Sequence, residues 1–202
     1  LFQIETNVNM TGQSSGQGAA ANTTNSNFSS LRDTFVGANS KYGTVMGGYL
    51  STPYRSALVS FDVMPGATGD ARIETMMGTQ RVNKNGLVYT AGSSVRATAI
   101  AYALPTMYGF DGSIAYTGSN NNGNNEANAS TGNNSLYSAL STQIGWTGYG
   151  VNIKGAFQQA KMMNNTVAGV SSTPANAYTS YLIGASYTGL PGLKASVVYN
   201  RN

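Results

Sequence analysis

The fold is decided by a stretch in which side-chain character changes at every residue: Val151-Asn152-Ile153-Lys154-Gly155-Ala156-Phe157-Gln158. Its odd-numbered positions carry Val, Ile, Gly and Phe, whereas its even-numbered positions carry Asn, Lys, Ala and Gln. Successive side chains of a β-strand point to opposite faces of the sheet. The alternation therefore predicts a strand with one apolar face and one more polar face.

The same alternation recurs to both sides of this stretch. With this stretch included, it is clear in four segments and looser in two, Val95–Leu104 has only Ala opposite its large apolar residues, and the pattern is weak in Leu31–Ala38 and Thr44–Leu50. Nine strands are predicted in all: Leu1–Asn9, Leu31–Ala38, Thr44–Leu50, Val95–Leu104, Phe110–Thr117, Leu136–Trp146, Val151–Gln158, Tyr178–Tyr187 and Leu193–Asn200.

The connections between these strands alternate between long and short. Met10–Asn27, Ser51–Ser94, Gly118–Asn134 and Lys161–Asn176 are long and rich in Asn, Gly, Ser and Thr, while those between them are short turns. A compact soluble domain rarely contains structureless connections longer than about 12–15 residues. Short turns at one end and long loops at the other are typical of an up-and-down transmembrane β-barrel.

The composition favours the same class. Only 9% of the residues are charged, against about a quarter in an ordinary soluble domain, and no run approaches the roughly 18 apolar residues that a spanning helix needs. We therefore expect an all-β, transmembrane, antiparallel up-and-down barrel, whose apolar face meets lipid and whose polar face meets water. Since the chain starts and stops inside strand sequence, we expect an internal fragment of a longer barrel. Aromatic residues near strand ends are expected to form interfacial girdles: Tyr102, Tyr108, Tyr116, Trp146, Tyr149, Tyr181, Tyr187 and Tyr199.

Several function classes are disfavoured by what the sequence contains. The chain has no His and no Cys, so a Ser-His-Asp triad and thiolate metal sites cannot form. We expect no enzyme, no cofactor and no metal site. The net charge of +4 is spread thinly, which argues against nucleic acid as a partner. No fixed repeat is present, as a β-solenoid would require.

Short segments along the chain carry a family resemblance: Leu1–Glu5, Arg32–Ala38, Tyr42–Gly48, Thr52–Tyr54 and Arg96–Phe110. In this order they resemble the trimeric general porins of Gram-negative bacteria, particularly the betaproteobacterial kind. The resemblance implies a sixteen-stranded barrel, assembled as a homotrimer in the outer membrane. Residues 1–202 would then be a partial barrel domain, holding roughly the third to the eleventh strand.

The resemblance also implies a function and partners. The function would be passive diffusion of small hydrophilic solutes and ions, in contact with outer-membrane lipid and lipopolysaccharide. The loop Met10–Asn27 would latch onto a neighbouring subunit, and the weak alternation of the next two strands suits a subunit interface. Two alternatives remain: a substrate-specific outer-membrane porin, and a soluble extracellular β-rich adhesin or structural protein.

The charged residues of Ser51–Ser94 are the candidate site, because the resemblance makes this segment an inward-folded constriction loop. A short helix is expected from Ala71 to Met77, capped by Asp70 and ended by Gly78. The alternative is that these are solvated loop charges. The family often has basic residues where this chain has Tyr49 and Ala101, which puts its basic cluster in question. The predicted constriction residues are Arg32, Arg55, Asp62, Asp70, Arg72, Glu74 and Arg96, and alternation predicts that Glu5, Lys154 and Lys194 face the lumen.

Overall fold

The computed structural model describes residues 1–8, 28–31, 33–63, 73, 79–84, 87–92, 96–118, 136–163 and 174–201. These residues form strands and one short helix, α1 (Pro53–Ser60). The strands are β1 (Phe2–Gln3), β2 (Thr6–Val8), β3 (Phe28–Leu31), β4 (Thr34–Ser40), β5 (Gly43–Ser51), β6 (Thr79–Lys84), β7 (Leu87–Gly92), β8 (Arg96–Ala103), β9 (Phe110–Thr117), β10 (Leu136–Gly148), β11 (Val151–Met163), β12 (Pro174–Leu190) and β13 (Leu193–Arg201).

Nine of these strands form one sheet, in the order β1-β4-β5-β8-β9-β10-β11-β12-β13. Every neighbouring pair is antiparallel. The strands omitted from this order form two separate hairpins, β2-β3 and β6-β7. Neighbouring strands of this sheet follow one another along the chain without crossovers, which makes it an up-and-down sheet. The predicted fold class is confirmed, and the nine predicted strands match the nine of the large sheet; the four strands of the two hairpins were not predicted.

Two sequence predictions need correction. Leu1–Asn9 is not one strand, since β1 pairs with β4 while β2 pairs with β3. Within Ser51–Ser94, where one short helix was expected, the structure also has α1 and the β6-β7 hairpin, which were not predicted. The described part of the expected helix Ala71–Met77 is Ile73, which is helical; its other residues lie outside the described ones. Within the described chain, no helix is long and apolar enough to cross a membrane.

The short turns lie together at one end of the sheet, the short-turn end, and the opposite end is the long-loop end. The turn between β10 and β11 is Tyr149–Gly150, and both residues have positive φ, 51° and 77°. This is the backbone of a two-residue type I′ hairpin, whose twist matches that of the flanking strands. A methyl group at Gly150 would lie 2.8 Å from the Gly189 Cα, so the turn needs glycine there.

The two faces of the large sheet differ in exposure. We call the face on which α1 lies the helix face, and the opposite one the outer face. On the outer face, large apolar side chains stand exposed: Ile144, Ile183, Val197 and Tyr199 are 59–71% exposed. The helix face carries small and polar residues, and many of them are buried: Ala97, Ala99, Ala101, Ala115, Ala139, Ser141, Ala156, Gln158, Ser180 and Ser186. Positions that alternate between apolar and small or polar residues in the sequence therefore lie on opposite faces of the sheet.

Candidate functional site

The helix α1 begins at a local signal in the sequence. The hydroxyl of Thr52 accepts a hydrogen bond from the backbone N–H of Arg55 at 3.3 Å, and Pro53 occupies the first turn. Thr is a preferred N-cap, and Pro suits the first helical position because the missing N–H has no partner there anyway. The chain leaves the helix at Phe61, whose N–H donates to the carbonyl of Leu58 at 3.1 Å.

An apolar cluster holds α1 against the sheet. Tyr54, Leu58 and Phe61 are each at most 1% exposed, and they pack with Ala156 of β11 and Leu182 of β12. Ile73 packs against the same cluster. Full burial of a large apolar side chain is worth about 1.5–3 kcal/mol. The segment Pro53–Phe61 is therefore fixed to the sheet wall by packing.

One row of residues across the sheet explains how the wall accepts this segment. Backbone register aligns Asp111, Gly145, Lys154, Gly184 and Val198 on five successive strands, β9 to β13. A methyl group at Gly184 would lie 2.7 Å from a ring carbon of Phe61. Gly184 thus leaves a notch in which the Phe61 ring sits, and sequence alternation gave no indication of it.

The second glycine of the row makes room for an ion pair. The Nζ of Lys154 lies 3.3 Å from the Oδ2 of Asp111, although Gly145 separates them on the intervening strand. A methyl group at Gly145 would lie 2.8 Å from the Cγ of Lys154 and 2.9 Å from the Oδ1 of Asp111. The Nε2 of Gln143 donates to the same carboxylate at 3.4 Å. Both charged side chains keep some exposure, 16% and 23%.

Polar contacts fix both ends of α1 to the wall. The backbone N–H of Tyr54 donates to the hydroxyl of Ser141 at 3.0 Å, and its phenol donates to the Oδ1 of Asn200. Burial raises the pKa of the Tyr54 phenol, because removal from water disfavours the phenolate. At the other end, the Nζ of Lys194 donates to the carbonyls of Ser60, at 3.1 Å, and Asp62. A cation at a helix C-terminus compensates its free carbonyls.

A partly buried charged cluster joins the two ends of the connection between β5 and β8. The hydroxyl of Ser51 donates to the carboxylate of Asp33 at 2.9 Å and accepts from the Nη1 of Arg55 at 2.9 Å. The Nε of Arg96 donates to the same carboxylate at 3.0 Å. Arg55 and Arg96 are only 8% and 5% exposed. We call Asp33, Ser51, Arg55 and Arg96 the anchor cluster, because it closes this connection at its base.

The side of α1 that faces away from the wall carries no charge. Ser56, Val59 and Val63 are exposed there, the two valines by 38% and 52%. The charged residues nearby, Arg55 and Asp62, are both 8% exposed. The surface that the segment Pro53–Val63 offers to solvent is thus made of hydroxyl and apolar groups.

The structure separates the predicted site residues into groups. Lys154 and Lys194 lie on the helix face, as alternation predicts. Glu5 is half-buried between β1 and β2, and its backbone N–H donates to the Thr34 hydroxyl at 3.4 Å. Arg55, Asp62 and Arg96 are buried, and a direct effect of these residues on passing solutes stays a prediction. The remaining predicted residues lie outside the described ones: Arg32, Asp70, Arg72 and Glu74.

Two carboxylates of this site were missing from the predicted set. Asp111 falls on the polar face of a correctly predicted strand, but its pairing with Lys154 depends on the register between β9 and β10, which a long loop joins. Asp33 precedes β4 and shows no periodic signal. Among the described residues, no three acidic side chains form a group that could hold a metal ion.

An antiparallel up-and-down sheet with an apolar outer face, a more polar inner face and a segment folded onto that inner face defines a transmembrane β-barrel protein of the pore-forming class. Comparison with known families identifies the class further. The family profile described as Gram-negative porin matches residues 1–202. The chain therefore belongs to the Gram-negative porins, which places it in the bacterial outer membrane as a channel protein. A search of the curated proteins finds no match.

Proposed function

We propose that this chain lines a passive diffusion channel for small hydrophilic solutes and ions. The observation that carries the proposal is the contrast between the two faces of the sheet. On β11, Ile153 of the outer face is 44% exposed, while its neighbour Lys154 forms an ion pair on the helix face. A charged pair needs water or polar partners, so the helix face suits an aqueous lumen and the outer face suits lipid.

The segment Pro53–Val63 would narrow this lumen. Size and wall charge decide which solutes pass such a constriction. The anchor cluster and the Phe61 notch would act by holding the segment in position, since Arg55, Arg96 and Phe61 are buried. Asp70, Arg72, Glu74 and Arg32 remain the predicted charges of the constriction itself.

We also propose that the channel belongs to a sixteen-stranded barrel and that three copies assemble. The outer face of β4 and β5 supports an interface there. Gly47 has no atom within 4 Å of the position of a Cβ, and its register neighbours Val36 and Ile100 are 67% and 70% exposed. Outer-membrane lipid, including lipopolysaccharide, would cover the rest of the outer face.

Liposome swelling with neutral sugars of increasing size tests the diffusion function. We expect uptake rates that rise in proportion to solute concentration and fall steadily with solute size. Saturable uptake confined to one class of solute would instead identify a substrate-specific porin. In the same protein, the double variant Asp70→Asn/Glu74→Gln should shift ion selectivity toward anions, because it removes two negative charges. An unchanged reversal potential would exclude this pair from the constriction.

A further inference from the structure

The side of α1 that faces away from the wall exposes two aliphatic side chains, Val59 and Val63, and we call them the valine stripe. Val59 is 38% exposed and Val63 is 52% exposed. The backbone N–H of Asp62 donates to the carbonyl of Val59 at 3.0 Å, so the chain continues to turn beyond the end of α1. At about 100° per residue, the two valines lie about 40° apart around the axis and share one face of the segment.

Neither packing nor helix propensity accounts for valine at these positions. The opposite face of the segment is already filled, because Tyr54, Leu58 and Phe61 pack against the wall. Val59 is β-branched, which makes it a poorer helix former than an unbranched residue. Thr has the same shape with a hydroxyl group in place of one methyl group. The valine stripe therefore leaves apolar surface in water at positions where the fold would accept a polar residue.

The charges of the segment and of the wall beneath it are held by other protein groups. Arg55 and Asp62 belong to the segment and are each 8% exposed. On the wall, Lys154 pairs with Asp111 at 3.3 Å, and Lys194 donates to two backbone carbonyls at the end of α1. A solute that passes over the segment therefore meets exposed methyl groups rather than the charges of the segment.

We propose that the valine stripe is a contact site for the aliphatic side of passing solutes. It makes the channel favour small zwitterions with a branched aliphatic side chain over hydroxylated zwitterions of the same size. Burial of one methylene group changes an equilibrium about fourfold. A contact this weak raises the concentration of solute at the constriction without trapping it there, as conduction requires. The inference rests on the proposed diffusion function, with the segment Pro53–Val63 narrowing the lumen.

The free amino acids L-valine and L-threonine are matched probes for this test. They have almost the same shape and the same zwitterionic charge, and a methyl group of one replaces the hydroxyl group of the other. Uptake of each is measured by swelling of liposomes that contain the full-length protein, and the ratio of the two rates does not depend on how many channels have inserted. We expect the parent protein to admit L-valine about two- to fourfold faster than L-threonine, from the value for one methylene group.

The double variant Val59→Thr/Val63→Thr replaces exposed methyl groups with hydroxyl groups and keeps the shape of the segment. Its ratio of uptake rates should fall to about 1, because hydroxyl groups hold water that an aliphatic solute displaces only at a cost. Val197→Thr is the matched control, since Val197 is 71% exposed on the outer face and lies outside the lumen. The control should keep the ratio of the parent protein.

Three outcomes would overturn the proposal: a parent protein that admits L-threonine as fast as L-valine, a double variant that keeps the ratio of the parent, or a control that loses the preference as well. A parent protein that admits neither amino acid would refute the diffusion function, and this inference with it. Equal uptake of both amino acids by the parent would refute the role of the valine stripe alone, so the two failures are distinguishable.

Discussion

The substitution Gly184→Ala tests how the inward-folded segment is held against the barrel wall. The added methyl group would lie 2.7, 2.9 and 3.0 Å from three ring carbons of Phe61, whereas ordinary contacts begin at 3.4 Å. Phe61 is 1% exposed, so its ring must lift from the wall by roughly 1 Å, and overpacking of this kind costs about 1–3 kcal/mol. The carbonyls of Ser60 and Asp62 flank this ring and would move away from Lys194.

Urea unfolding and single-channel recording in planar bilayers measure the two consequences. We expect the free energy of unfolding to fall by about 1–3 kcal/mol and the unitary conductance to fall as well, because the displaced ring enters the lumen. Gly155→Ala is the matched control on the neighbouring strand, since the nearest atom to its methyl group would be a carbonyl oxygen 3.9 Å away. It should change stability by no more than about 0.5 kcal/mol.

A double-mutant cycle separates the steric clash from a general effect on the strand. Phe61→Ala removes the ring, so Gly184→Ala should cost much less in that background than in the parent protein. We expect a coupling of at least about 1 kcal/mol, as for residues in direct contact. Additive effects, or a Gly184→Ala protein as stable and as conductive as the Gly155→Ala control, would refute the seating of Phe61 on Gly184.

Further predictions concern the charges of the wall. Asp111→Asn should shift reversal potentials toward anions and Lys154→Gln toward cations, because each removes one charge of a partly exposed pair; similar shifts in both variants would contradict a lumenal position. Gly145→Ala should behave like a protein that has lost the Asp111–Lys154 ion pair, since its methyl group would displace the Lys154 side chain. A crystal structure of this variant that retained the 3.3 Å contact between the two side chains would contradict the prediction. Asp33→Asn should lower the free energy of unfolding by about 1–3 kcal/mol, the cost of weakening hydrogen bonds to a charged group, because the Asp33 carboxylate is 25% exposed and both arginines keep other contacts. A loss below about 0.5 kcal/mol in urea unfolding would show that the anchor cluster does not hold the connection.

The strands of this chain could be predicted because lipid imposes a simple pattern. Phe110–Thr117 was predicted with the bounds that the structure shows, since alternation there is unbroken and a short turn limits it. The predicted Tyr178–Tyr187 is longer in the structure, Pro174–Leu190. The residues by which this strand exceeds the prediction do not alternate between apolar and polar, because they extend beyond the band in which one face must contact lipid.

The candidate site was predicted less completely, for two physical reasons. Local signals were present for α1, because Thr52 and Pro53 form a capping pair, yet this helix was not predicted; the helix that was expected, Ala71–Met77, is a different one, and its described residue, Ile73, is helical. The Asp111–Lys154 pair and the Phe61 notch depend on the register of strands joined by long loops, and alternation fixes only which face a residue occupies. Gly145 and Gly184 contribute to the site because, without a side chain, they leave room for the groups packed against them. A pattern of apolar and polar residues does not show which glycines have this role.

The central claim is that the helix face of this sheet lines an aqueous channel, and single-channel recording of the full-length protein in planar bilayers tests it most directly. We predict stepwise conductance that rises linearly with salt concentration and shows weak ion selectivity, as expected for diffusion through a water-filled lumen. Bilayers that stay non-conducting after verified insertion of the folded protein would contradict the claim.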